Sequence, residues 1–189
     1  MTNITASLTL TCEDNSTAGG TQKLYLINRD YVTEFTADAV TSNHAYTSVT
    51  VSSTGAAESQ FHEYELYEFT GLGEATNNQG NNGTNTFDIN ITGFIPREEK
   101  VKAKKLQDLI KSCKVIAILQ NTTGEAMVYG YDQVLQVRAA LSATASSSTG
   151  TAIEDQSGYT LTLTGKQVDL PRQFVGTIIT SGGVAVTFS

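Results

Sequence analysis

Glu63, Glu65 and Glu68 stand close together in Phe61-His-Glu-Tyr-Glu-Leu-Tyr-Glu-Phe-Thr70, and paired carboxylates can act as general acid and base. The spacing argues against that chemistry. A segment so dense in aromatics reads as a strand, and alternation then puts Glu63 and Glu65 on one face and Glu68 on the other. A charged sheet face is the simpler reading. His62, beside these glutamates, reads as a surface residue, and His44 lies in an unrelated context. No serine sits in Gly-x-Ser-x-Gly, and no nucleophile, base and orienting group can be assembled by spacing. Gly19-Gly20 and Gly80-Asn-Asn-Gly83 lack the strand, glycine loop and helix order that cradles phosphate. Calcium-type Asp-x-Asp-x-Asp spacing is absent. Cys12 and Cys113 are too few and too far apart for a metal site or a disulfide framework. The expectation is a protein with no catalytic residue, no cofactor and no metal.

The elements around these residues are strands and turns, with one exception. Residues 97–113 read as an amphipathic helix in which Leu106, Leu109, Ile110 and Cys113 follow the i, i+3, i+4, i+7 pattern of a core stripe, extended by Val101. Pro96 suits the helix start, where its missing N–H is unpaired anyway. Glu98 and Glu99 suit the positive N-terminal end, and Lys111 and Lys114 the negative C-terminal end. One such helix in a β-rich chain must cover the face or edge of a sheet.

Along the chain, strands are expected at Ala6–Thr11, Lys23–Asn28, Phe61–Thr70, Thr86–Thr92, Glu125–Tyr131, Gln133–Ala143 and Tyr159–Thr164. Val115–Gln120 is continuously apolar, as in a strand buried on both faces. From Arg29 to about Gln60 the pattern is ambiguous. Gly71–Asn85 reads as a loop around Asn77, Asn78, Gly80, Asn81, Asn82 and Gly83, and this polar tract is the candidate assembly loop, with Thr36–Gln60 as the other. Gly165–Phe174 reads as irregular. Residues 175–189 read as a final hairpin or a C-terminal arm. The fold class is mainly β: two packed antiparallel sheets, as a sandwich or partial barrel, with one flanking amphipathic helix, in a single domain over 1–189.

Composition agrees. Threonine, β-branched and suited to half-exposed strands, dominates the 189 residues. Charged residues make up 16% of the chain, below the ~25% of an average domain. A surface of Thr, Ser, Asn and Gly in place of charge fits a protein covered by neighbours. The net charge of −7 is uneven: residues 97–114 hold seven basic and three acidic side chains, which leaves the rest of the chain at −11. A basic helix of this kind is either a solvated face or a dock for the acidic surface of another copy. No apolar run approaches a membrane span, and the first residues lack the pattern of a signal peptide. Synthesis and folding in a cytoplasm are expected.

Gly20-x-x-Lys-Leu-Tyr25, then an aromatic strand, a glycine-rich loop, an alternating strand and a helix, lead into a buried strand. Gly124, Gly130-Tyr-Asp132 and Thr149-Gly-Thr-Ala-Ile-Glu-Asp-Gln-Ser-Gly-Tyr-Thr-Leu-Thr-Leu-Thr-Gly165 follow. Over roughly residues 20–170 this order resembles the tail-tube proteins of tailed bacteriophages and related injection machines. The resemblance implies a non-enzymatic virion structural protein, assembled in the host cytoplasm, with two packed sheets and a flanking helix. It implies six copies in a ring, rings stacked into a tube, other virion proteins as partners, and DNA as a non-specific passing cargo. The segment after Phe174 departs from that pattern and admits a neck, capsid decoration or cement role instead. A carbohydrate- or surface-binding β-sandwich is the reading from a different class. In a tube the lumen should be acidic or neutral, since a basic lining would grip phosphates; Glu63, Glu65, Glu68 and Asp132 are the candidates to face it.

Overall fold

The structure, a computed structural model, describes residues 21–40, 43–52, 59–67, 70–80, 83–96, 98–112, 114–149, 157–181 and 183–188. The strand expected at Ala6–Thr11 lies outside the described residues, as do Cys12, Glu68, Asn81, Asn82 and Cys113.

The protein is mainly β, with packed sheets, a single α-helix among the described residues and no closed barrel. Its strands are β1 (Thr21–Asn28), β2 (Val32–Ala37), β3 (Ala45–Val51), β4 (His62–Glu65), β5 (Leu72–Gln79), β6 (Asn85–Pro96), β7 (Val115–Asn121), β8 (Ala126–Tyr129), β9 (Ser142–Ser148), β10 (Gly158–Gln167), β11 (Arg172–Phe174), β12 (Thr177–Ile179) and β13 (Ala185–Thr187). The helix α1 spans Lys100–Lys111 between β6 and β7. A seven-stranded sheet runs β2-β3-β11-β8-β7-β1-β4, and a four-stranded sheet runs β5-β6-β10-β9. All pairings are antiparallel except β3 with β11.

The continuous apolar run in β7 explains the layering. Val115, Ala117 and Leu119 face the four-stranded sheet and pack with Ile89, Ile91, Leu161 and Leu163. Ile116 and Ile118 point the opposite way, into a second core with Phe35, Tyr46, Phe61 and Phe174. Both faces of β7 are thus covered, as its sequence requires. The β12–β13 hairpin contributes Ile178, and Phe188 just beyond it, to that second core. Among the described residues after Phe174, Ile178 and Phe188 are buried and the segment pairs as the final hairpin, which does not fit a free arm.

The helix is shorter than its charge pattern predicts. Pro96 ends β6 instead of opening α1, and Glu99 takes the cap position without a side-chain cap bond. Leu106 and Leu109 are buried in the first core. Val101 is 64% exposed and Ile110 42% exposed, so neither belongs to the stripe. At about 100° per residue, Val101 lies roughly 140° round the helix from Leu106, whereas Ile110, about 40° from Leu106 but about 100° from Leu109, sits at the edge of the buried arc. Two leucines suffice because the helix plugs one side of a sandwich already filled by strands.

Two further expectations are overturned. Gly71–Asn85 is no long loop, because β5 pairs with β6 from Leu72↔Thr92 to Gln79↔Asn85. Asn77 and Asn78 are strand residues, Gly80 N–H bonds Thr84 O, and Gly83 takes a φ of 75° beside that turn. Polar residues favour turns locally, yet on an edge strand they are tolerated when the neighbour supplies the backbone partners. Likewise Gln133–Ala143 is not a strand until its last two residues, where β9 begins. Asp132 caps a turn there and a short 3-10 segment follows at Val137–Ala139.

Candidate assembly surfaces

The alternation of the four-stranded sheet gives it two chemically distinct faces. One set of cross-strand rows, Gly73–Ile91–Leu163–Ala143 and Gly93–Leu161–Ala145, points into the first core. The other set, Glu74–Asn90–Thr164–Ser142 and Leu72–Thr92–Thr162–Thr144, points outward. The outward face is thus a field of hydroxyl and amide groups. Its charges are few: Glu74, and Asp88 paired with Lys166 at 3.0 Å. The Lys166 ammonium and the Asn78 amide hold the Asp88 carboxyl below its ordinary value. Both edges of this sheet, β5 and β9, have no further strand beside them among the described residues. β5 (Leu-Gly-Glu-Ala-Thr-Asn-Asn-Gln) carries no Lys or Pro, the residues that blunt exposed edges.

A groove of about 1230 Å³ separates β4 from α1, floored by Leu26, Leu66, Leu106 and Leu109. His62 and Tyr64 alternate onto one face of β4, and both feel the helix. Partial burial and then the nearby Lys105 charge lower the His62 pKa. Burial, with Asp108 adding to it, raises that of Tyr64. Ser112 is committed to the Leu109 carbonyl at 2.5 Å. The groove therefore brings together a histidine, a tyrosine, a lysine and an acid without an aligned nucleophile and base. Among the described residues no group of three His, Cys, Asp or Glu side chains could hold a metal ion, and no helix is long and apolar enough to cross a membrane.

The remaining candidates are scattered. Glu63 is ion-paired to Lys23 at 2.6 Å on the β4 edge, a partly exposed pair worth about 0–1 kcal/mol. Glu65 is exposed on the same strand. Asp132 cannot line a lumen: it is 1% exposed, accepting from the N–H groups of Val134, Leu135 and Val168. Neither the turn that Asp132 caps nor its long-range bond to Val168 is legible in the sequence, which puts strands on both sides of it. The groups that sequence reasoning missed are those of the outward face, above all Glu74 and the β9 serines and threonine, because a loop reading of 71–85 hid one sheet edge and a strand drawn at Gln133–Ala143 missed most of the other. Comparison with known proteins finds no matching family model, no matching curated protein and no matching solved structure.

Proposed function

We propose that this chain is a non-enzymatic structural subunit of a virion, a tail-tube protein whose copies assemble into rings that stack around a DNA conduit. The observation that carries the reading is the four-stranded sheet: two open edges and an outward face of threonine, serine and asparagine. Open edges with no blunting residues favour pairing with another chain. A sheet closed through several copies removes every such edge, as any barrel does. The outward face then becomes the lining. Hydroxyls and amides offer phosphates only weak, interchangeable contacts, and the net charge of Glu74, Asp88 and Lys166 is negative. A polyanion meets no cationic grip there. The resemblance to tail-tube proteins supports the same reading, including the number of copies, the virion location and the partners.

Negative-stain images of the purified protein test it. Rings with a central channel, or stacked tubes, are expected. A protein that remains monomeric at high concentration by light scattering, with no rings in the images, overturns the tube role and leaves a monomeric β-sandwich binding module as the better reading.

A further inference from the structure

We infer that the groove between β4 and α1 is the seat of this chain's own segment Ile4–Cys12, which adds to β4 as a further strand and turns its leucines onto the groove floor. The contact lies within one subunit, so it is independent of ring formation.

The backbone of β4 has a place for such a strand. Phe61 N–H bonds Ile179 O, and Phe61 C=O accepts from Ser181 N–H, so both groups point away from β1. Backbone groups along a strand alternate between its two sides. Those of His62 and Tyr64 therefore face β1, while those of Glu63 and Glu65 point the same way as the Phe61 groups. Two residues further on, Tyr67 N–H bonds Phe94 O. Phe61 and Tyr67 are thus partnered on this edge. Between them, the N–H and C=O groups of Glu63 and Glu65 have no backbone partner among the described residues. The groove alongside, about 1230 Å³, has the apolar floor of Leu26, Leu66, Leu106 and Leu109, and Tyr64 turns toward the same core.

Ile4-Thr-Ala-Ser-Leu-Thr-Leu-Thr-Cys12 matches that place in pattern, charge and reach. Ile4, Ala6, Leu8, Leu10 and Cys12 alternate with Thr5, Ser7, Thr9 and Thr11. A strand so built has one side for an apolar floor and one for solvent. It holds no Asp, Glu, Lys or Arg, so seating it on the floor buries no unpaired charge. A strand beside β4 lies two spacings from β1, about 10 Å. The residues between Cys12 and Thr21, where β1 begins, can span about 30 Å. β2, the other end of the same sheet, is five spacings from β1, about 24 Å. Tethering to β1 favours the near site, and favours the subunit's own groove over that of another copy. The added strand pairs the free groups of Glu63 and Glu65 and closes the β4 edge to other chains.

Amide hydrogen exchange, followed by NMR on the full chain in dilute solution, tests the contact. The Glu63 and Glu65 amides should exchange slowly, as those of His62 and Tyr64 do. Leu8→Asp combined with Leu10→Asp should speed Glu63 and Glu65 by at least about tenfold and leave His62 and Tyr64 slow. The two amides that face β1 thus report that the fold is kept. Glu63 and Glu65 amides that exchange freely in the parent, or that stay protected in the double variant, overturn the assignment. A cysteine pair identifies the copy. In a chain with Cys12→Ser and Cys113→Ala, Leu8→Cys or Leu10→Cys is combined with Lys105→Cys on the groove wall. Oxidation in dilute solution should link one of these pairs within a single chain, seen as a faster monomer band on a non-reducing gel. Covalent dimers in place of that band, or no disulfide from either pair, overturn the docking of the chain's own segment.

Discussion

The carboxylate of Asp132 accepts a hydrogen bond from the backbone N–H of Val168, 36 residues further along the chain, at 2.9 Å. The same side chain accepts from Val134 N–H at 2.9 Å and from Leu135 N–H. One buried acid therefore ties the turn after β8 to the segment leaving β10, next to the Gln167 amide, which donates to Tyr131 O at 2.7 Å. The two sheets are joined at this end by polar bonds as well as by the core.

Removing that acid should be costly. Asp132→Ala leaves three N–H groups without their acceptor, and a buried unsatisfied donor costs about 1–3 kcal/mol. A loss of at least about 2 kcal/mol is expected in urea unfolding, with Asp132→Asn falling between the parent and the alanine variant. Glu65→Ala, at an exposed site, should stay within about 0.5 kcal/mol. Equal midpoints for Asp132→Ala and Glu65→Ala would show that the turns hold without the carboxylate.

The helix offers a paired comparison. Leu109→Ala should destabilise by about 2–5 kcal/mol, because the leucine is buried among strand residues of both sheets. Val101→Ala, on the exposed side, should change stability by no more than about 0.5 kcal/mol. Denaturant midpoints that rank the two the other way would place the helix on its opposite face.

What the sequence revealed, and what it concealed, follows from how local each signal is. The five apolar residues Val115–Leu119 announce a strand covered on both sides because no solvent-facing position interrupts them. Leu106 and Leu109 are legible for the same reason, since helical spacing is a local property. Val101 and Ile110 fit the spacing yet stay exposed, because spacing defines a stripe only to within a neighbouring position and packing decides its width. Asn77 and Asn78 show the converse. Their turn preference is local, but their strand is made by eight residues of β6 lying alongside, which no short window can register. The candidate assembly surfaces depend on that same long-range pairing, so they became visible only with the register.

The C-terminal hairpin should prove integral to the core. Phe188 stacks edge-on against Tyr25 at 5.6 Å and Phe174 at 5.8 Å between ring centroids and is 3% exposed. Phe188→Ala should therefore cost about 3–5 kcal/mol. Gly176→Ala makes a second test, because a Cβ there would stand 2.3 Å from the Thr47 carbonyl oxygen, a backbone atom that cannot swing aside. Both variants should melt at clearly lower temperature than the parent. If both retain its transition, the last strands are a peripheral appendage.

His62 makes stability depend on pH. Partial burial against the helix side of the groove, then the positive charge of Lys105, lower its pKa from the ordinary 6.5. Tyr64 and Asp108 flank it across the same groove, with Glu63 beside it on β4. The folded state thus prefers the neutral ring, and the unfolded chain takes up the proton first. This contribution is fully present above pH 6.5, where the unfolded chain is also neutral, and is lost as the pH falls from there through the folded pKa. Urea midpoints should accordingly decline on going below about pH 6.5 more steeply for the parent than for His62→Gln, which carries no titrating ring. Lys105→Met should raise the His62 pKa by removing the second cause and leaving the first. NMR titration of the ring Cε1–H reads that shift directly, and a His62 pKa at or above 6.5 in the folded parent would refute the account.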